Sequence, residues 1–199
     1  MNGRKRGIRI SFNAPAVIVF TLICVIAQLL NLLTHGASNR VVFSVYRSSF
    51  LDPLTYVRAF GHVFGHADWN HLVGNLMYIL ILGPMLEEKY GTSNVIFVMA
   101  ATALVTGVIN QLFFPATRLL GASGIVFAFI LLSSITVRED HTIPLTFILV
   151  AVLYIGQQVY DGLFTADRIS QSTHIVGGLV GSVLGFVMNR YQMNRYLRR

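Results

Sequence analysis

The sequence predicts an all-α membrane protein, a bundle of six transmembrane helices with one long, partly helical loop after the first. Three observations carry that prediction. The 199 residues are 54% apolar and 12% charged, with a mean hydropathy of +0.65, far from soluble-domain averages. Six segments are apolar over most of the roughly 20 residues that a helix needs to cross about 30 Å of hydrocarbon. Most connections between them are short, so no soluble domain, repeat or low-complexity tract stands apart. The whole of 1–199 reads as one transmembrane domain, with short basic tails at 1–13 and 190–199.

The first segment, 14–33, follows Arg4, Lys5, Arg6 and Arg9. Such a start resembles a signal peptide, but the apolar run is too long and no small-residue cleavage site follows closely, so a retained anchor is expected. Cys24, the only cysteine, lies in its middle and is read as inert filler without an internal disulfide. The one long connection, 34–70, mixes Phe43, Tyr46, Phe50, Leu51, Leu54, Tyr56 and Phe60 with polar residues. It is too apolar for a tether and is expected to rest on the bilayer or the bundle, with aromatic rings at headgroup level. The remaining spans are placed at 71–86, 93–114, 121–137, 143–160 and 172–189, joined by turns at 87–92, 115–120, 138–142 and 161–171.

Charge sets the expected topology. Ten basic residues fall on the side of the two termini (Arg4, Lys5, Arg6, Arg9, Lys89, Arg138, Arg190, Arg195, Arg198, Arg199) and five opposite (Arg40, Arg47, Arg58, Arg118, Arg168). The excess predicts cytoplasmic termini and a multi-pass protein of the cell (inner) membrane. The net charge of +7 is then topology and headgroup attraction, and with no nucleic-acid motif beside it, no nucleic-acid partner is expected.

Reactive side chains stand at the mouths of two spans, where ionisable groups are costly and mark function. Ser123, within Gly121-Ala122-Ser123-Gly124, should open the fourth span, where unpaired backbone amides can bind an oxyanion. Gly121 and Gly124 leave the backbone around the hydroxyl uncrowded. Taken alone, the motif equally fits a helix-capping serine beside packing glycines. His174 shares a helical face with Gly177, Gly178 and Gly181, at offsets of three, four and seven. Small residues at this spacing let helices approach closely, so a helix docked by that face brings its imidazole to its neighbour. A GxxxG pairing face that happens to carry a histidine is the plainer alternative. All eight acids lie outside the apolar cores, so the chemistry open to the pair is that of a Ser-His dyad, with Phe127 one turn after Ser123 placed to stack on the imidazole.

His71 and Asn75 lie four apart on one face of the second span, where they offer donors to an oxyanion or bond across helices. His62 and His66 are also four apart, but His62-Val63-Phe64-Gly65-His66 lacks the glutamate of H-E-x-x-H, so no metal is expected. They are read as tying the long loop to the start of the second span. Glu87 and Gly91 look structural: a polar group near a span's end and a terminating glycine.

In their order, these residues resemble the rhomboid family of intramembrane serine proteases over most of 58–181. The histidines His62, His66 and His71 with Asn75, then Glu87 and Gly91, then Gly121 to Gly124, then His174 with Gly177 and Gly181 match the family's pattern. The resemblance implies a six-span rhomboid-like bundle of the basic prokaryotic form. It implies Ser123 as nucleophile, His174 as base, and His71, Asn75 and the Ser123 amide at the oxyanion. The implied reaction is cleavage of a peptide bond in or beside a transmembrane segment of a membrane-protein substrate, through an acyl-enzyme and without metal or cofactor. The chain departs from the pattern at Val57 (commonly Trp), at Thr173 (commonly Ala) and at Phe127 (often Tyr). The fifth span and the link after it, with Gly156 and Gly162 flanking a polar stretch, are read as a moving gate. Two rival readings are a non-proteolytic rhomboid-like client-binding protein, which should lack an intact dyad, and a small transporter, which should show inverted repeats or midplane acids.

Overall fold

The computed structural model describes residues 12–135, 143–164 and 168–196, and their fold is all-α apart from one isolated antiparallel bridge, Val45 with Leu119. Among the described residues eight helices follow in order: α1 (Pro15–Leu33), α2 (Ala37–Val41), α3 (Pro53–Gly61), α4 (Trp69–Tyr90), α5 (Thr92–Phe113), α6 (Ser123–Ser134), α7 (Leu145–Phe164) and α8 (Arg168–Tyr196). The six long ones coincide with the six segments read from sequence. The short α2 and α3 lie in the long loop, which is therefore partly helical as expected. By length and hydropathy α1 and α5 can each cross a membrane, while α6, α7 and α8 hold the shorter apolar stretches Ser123–Ser134, Leu145–Gln157 and Thr173–Met188. The predicted turn at 138–142 lies outside the described residues, and most of 161–171 is helical, not a turn, because α7 continues to Phe164 and α8 begins at Arg168.

Helix ends follow local chemistry. α1 starts with Pro15, whose missing N–H and fixed φ suit the first turn. Its next amides are satisfied from a distance: Ala16 N–H donates to Glu87 Oε1 at 2.9 Å and Val17 N–H to Oε2 at 3.1 Å. Thr92 Oγ1 adds a third bond to Glu87 at 2.8 Å, so this buried carboxylate caps α1 where the helix dipole favours negative charge. α4 starts at Asp68, which accepts the His71 amide at 2.8 Å, and ends at Gly91 with φ +86°, a conformation that glycine adopts without strain.

α6 is the central helix, with Gly124, Ile125, Val126, Ala128, Phe129, Leu131 and Leu132 buried against α4, α5, α7 and α8. The outer surfaces of the bundle are apolar: Leu22, Ile26, Ile81, Ile96, Phe97, Val152 and Leu153 are all exposed. That much apolar surface suits lipid, since water-soluble monomers rarely expose such patches.

The long loop is strapped to the bundle by backbone acceptors. Asn110 Nδ2 donates to Val45 O at 3.2 Å and Gln111 Nε2 to Ser48 O at 2.6 Å, both from α5. Arg58 is buried, donates to Val41 O and to Asp52, and lies over the Tyr46 ring at 4.7 Å. These bonds fix the loop as a plate across one end of α5, which is what the turn leading into α6 rests on.

Candidate active site

The site is built around the turn that precedes α6. Val45 and Leu119 exchange backbone bonds of 2.9 Å, and the Gly121 amide donates to His62 O at 2.9 Å. The Ala122 amide points at His66 Nε2, 3.5 Å away. His66 in turn directs Nδ1 at Phe64 O and has its own carbonyl held by Asn39 Nδ2 at 2.9 Å. Irregular backbone at membrane depth needs such internal partners. Burial pushes His62 and His66 each down to about 4, so both imidazoles are neutral braces. The expected tie to the second span is a ring contact of His66 with His71, whereas the hydrogen bonds of the two histidines run to α5 and the turn before α6, His62 Nε2 lying 3.3 Å from Thr106 Oγ1.

Gly121 has φ +124°, and a Cβ there would stand 2.9 Å from His71 Nε2 and 3.8 Å from Asn75 Nδ2. Only glycine serves at this position, on conformation and on space. The Ala67 amide approaches His71 Nδ1 at 3.4 Å, which makes Nδ1 the acceptor of the neutral ring and Nε2, facing Gly121, its donor. His66 and His71 meet edge to face at 5.0 Å. Asn75 is 7% exposed and its Nδ2 has no hydrogen-bond partner. A buried amide left unsatisfied costs about 1–3 kcal/mol, so such a group calls for an explanation.

α8 supplies the imidazole. A Cβ at Gly177 would collide with the Gly124 carbonyl and one at Gly181 with the Ala128 carbonyl, so the two helices touch backbone to backbone. Both numbers advance by four, so α6 and α8 run parallel and in register. His174, one turn before Gly177, therefore stands level with the turn at Gly121 to Ser123. The Phe127 ring lies 4.4 Å from the His174 ring at 48°. Ser123 and His174 are both half-buried, open enough to meet a reactant.

Of the residues singled out in the sequence, His71, Asn75, Gly121, Ser123, Gly124, Phe127, His174 and Gly177 converge at one end of α6. Gly181 lies one turn further along the helix pair, and His62 and His66 stand behind the turn. Three participants were not anticipated. Thr102 and Thr106 of α5 place their methyl groups 3.6 and 3.4 Å from where a Gly124 Cβ would be, and their spacing of four with Gly107 is a small-residue signal that would have found them. Tyr154 of α7 stacks on Phe127 at 4.3 Å, which no local pattern announces.

Comparison with known proteins points to one family. The model for the rhomboid domain matches residues 53–191. Rhomboid-like protein 11, chloroplastic, of Arabidopsis thaliana is 24% identical over 142 residues, covering 64% of this chain and 51% of that protein. Rhomboid-related protein 2 of Mus musculus is 29% identical over 156 residues, covering 68% and 52%. The rhomboid protease GlpG of Haemophilus influenzae is 23% identical over 181 residues, covering 89% and 92%. The chain thus spans about half the length of the plant and mouse proteins and nearly all of the Haemophilus one.

Proposed function

Because the chain belongs to the rhomboid family, we propose that it is an intramembrane serine endopeptidase that cleaves transmembrane segments of membrane proteins with a Ser123-His174 dyad. The observation that carries the reading is the register of α8 on α6, which sets the His174 ring against Phe127 at the level of the Ser123 turn. The protein is an integral membrane protein with six spans and both termini cytoplasmic, and the site opens toward the extracytoplasmic side. α6 supports a site below the membrane surface. Its 12 residues span about 18 Å at 1.5 Å each, well short of a hydrocarbon core about 30 Å thick.

In this mechanism Ser123 Oγ attacks the scissile carbonyl carbon while His174 takes the hydroxyl proton. Negative charge gathers on the carbonyl oxygen, where the Ser123 amide, His71 Nε2–H and the unpartnered Asn75 Nδ2 converge to hold it. Collapse breaks the C–N bond, and His174 returns the proton to the leaving amine. The acyl group stays on Ser123 as an ester. A water deprotonated by His174 then attacks that ester, the bond to Ser123 Oγ breaks, and His174 returns the proton to Oγ as the second product leaves. Gly121 leaves the carbonyl room to approach, and the reaction uses no metal or cofactor. Access for a substrate helix is by displacement of α7.

The test is labelling of the full-length protein in detergent by a fluorophosphonate probe, read by intact mass. Wild type gains one adduct, on Ser123, and Ser123→Ala gains none. A Ser123→Ala protein that labels as strongly as wild type removes Ser123 from the role of nucleophile.

A further inference from the structure

Among its described side chains, helix α7 buries little. Tyr154 is the one buried residue among its described side chains, while Ile148, Leu149, Val152, Leu153 and Ile155 are exposed. Phe147 also meets Phe186 of α8 at 5.1 Å. The Tyr154 ring fits a notch between α6 and α8. One side lies on Phe127, with centroids 4.3 Å apart and planes at 33°. Its edge meets Gly178, where a Cβ would stand 3.0 Å from Tyr154 Cε1. Gly178 is one turn beyond His174, and Phe127 also meets the His174 ring at 4.4 Å. Three rings from three helices therefore form one stack, with His174 at its inner end and α7 at its outer end. The Tyr154 hydroxyl is buried and has no hydrogen-bond partner, so the ring is what secures the contact.

From this stack we infer that Tyr154 is a positioning residue for His174. A seated α7 presses Tyr154 on Phe127 and Phe127 on the imidazole, which restricts the ring to the orientation in which it can take the Ser123 proton. An α7 that swings outward withdraws Tyr154, and Phe127 and His174 gain rotational freedom together. Opening of the bundle and loss of base orientation are in this way one event, and the dyad is set only when the helix has closed behind a substrate. The inference rests on His174 being the base.

The experiment compares saturation kinetics of fluorophosphonate labelling for wild type, Tyr154→Leu, Tyr154→Phe and Phe147→Leu, each full-length and folded by gel filtration. Loss of a positioning contact lowers the maximal labelling rate of Tyr154→Leu by about tenfold and leaves the half-saturating probe concentration unchanged. Tyr154→Phe recovers the lost rate. Phe147→Leu removes a ring contact of α7 remote from the stack, leaves Tyr154 seated on Phe127 and keeps the wild-type maximal rate. Should Tyr154→Leu not fold, Tyr154→Met replaces it under the same expectations. A wild-type rate in the ringless variant, an equal loss in Phe147→Leu, or no recovery in Tyr154→Phe each overturns the inference. Wild-type labelling that survives Ser123→Ala sinks the dyad itself, an outcome separate from these.

Discussion

Where α6 meets α8, the contact is backbone on backbone: Gly177 rests on the Gly124 carbonyl and Gly181 on that of Ala128, with no room for a methyl group at either position. Where the same α6 begins and faces α4, Gly121 lies directly against the His71 ring, and Asn75 holds an unsatisfied amide beside it. One flank is filled to the last atom, and the other keeps a donor in reserve at a cost in stability. The contrast separates two jobs that one helix performs. The first flank holds the register that brings His174 level with the Ser123 turn, and the second offers a hydrogen-bond donor that the resting protein does not use.

Substitutions can break the contrast from either side. Gly177→Val is expected to be the most damaging, since its side chain meets the Gly124 backbone and neither helix can yield without losing register. Fluorophosphonate labelling should disappear, and the detergent-solubilised protein should unfold at a lower temperature than wild type. Asn75→Ala should act in the opposite sense. Turnover on a single-span substrate should fall about 10²- to 10³-fold, as for other lost oxyanion donors. The unfolding temperature should hold or rise, because an unsatisfied Nδ2 leaves with the mutation. An Asn75→Ala protein that loses stability as well as turnover would show that both flanks are structural.

Acid provides the gentlest probe, acting on the braces behind the turn. His62 and His66 are held near 4 in the folded chain against about 6.5 when unfolded, so the unfolded chain binds more protons between those values. Stability is therefore fully present above about pH 6.5 and is lost as pH falls toward 4, at most about 1.4 kcal/mol per pH unit for each imidazole. Thermal unfolding followed from pH 7.5 to 4.5 checks the sign. His62→Gln should flatten part of the slope. A flat profile in the wild type would mean that the two rings are not buried as neutral braces.

Much of this architecture was legible before any coordinates, and the reasons are local. Long apolar runs separated by charged turns announce six helices, because a helix in lipid must satisfy its own backbone and cover itself with carbon. Glycines at offsets of three, four and seven from His174 mark a face that docks closely, and α8 docks by that face. The remainder depends on which distant groups meet. Nothing near Glu87 in the chain says that its carboxylate caps a helix some 70 residues earlier. The hydrogen-bond partners of His62 and His66 are hidden for the same reason, since a histidine in a loop can reach any helix that folds against it. The stretch 161–171 reads as a turn because its residues are polar, yet helix continues through much of it, since polarity ends an apolar face without ending the backbone spiral. Tyr154 is hidden within an apolar run, where a tyrosine differs little from its neighbours.

The bonds from Glu87 to Ala16 and Val17 also bear on where this protein may be cut. The region recognised as rhomboid starts at residue 53, downstream of α1. An excised piece starting there keeps the proposed nucleophile, base and oxyanion donors, but it leaves the buried Glu87 carboxyl with Ala16 and Val17 gone. The opening helix thus satisfies a polar group of the interior, and a fragment that keeps those bonds has to begin before Pro15.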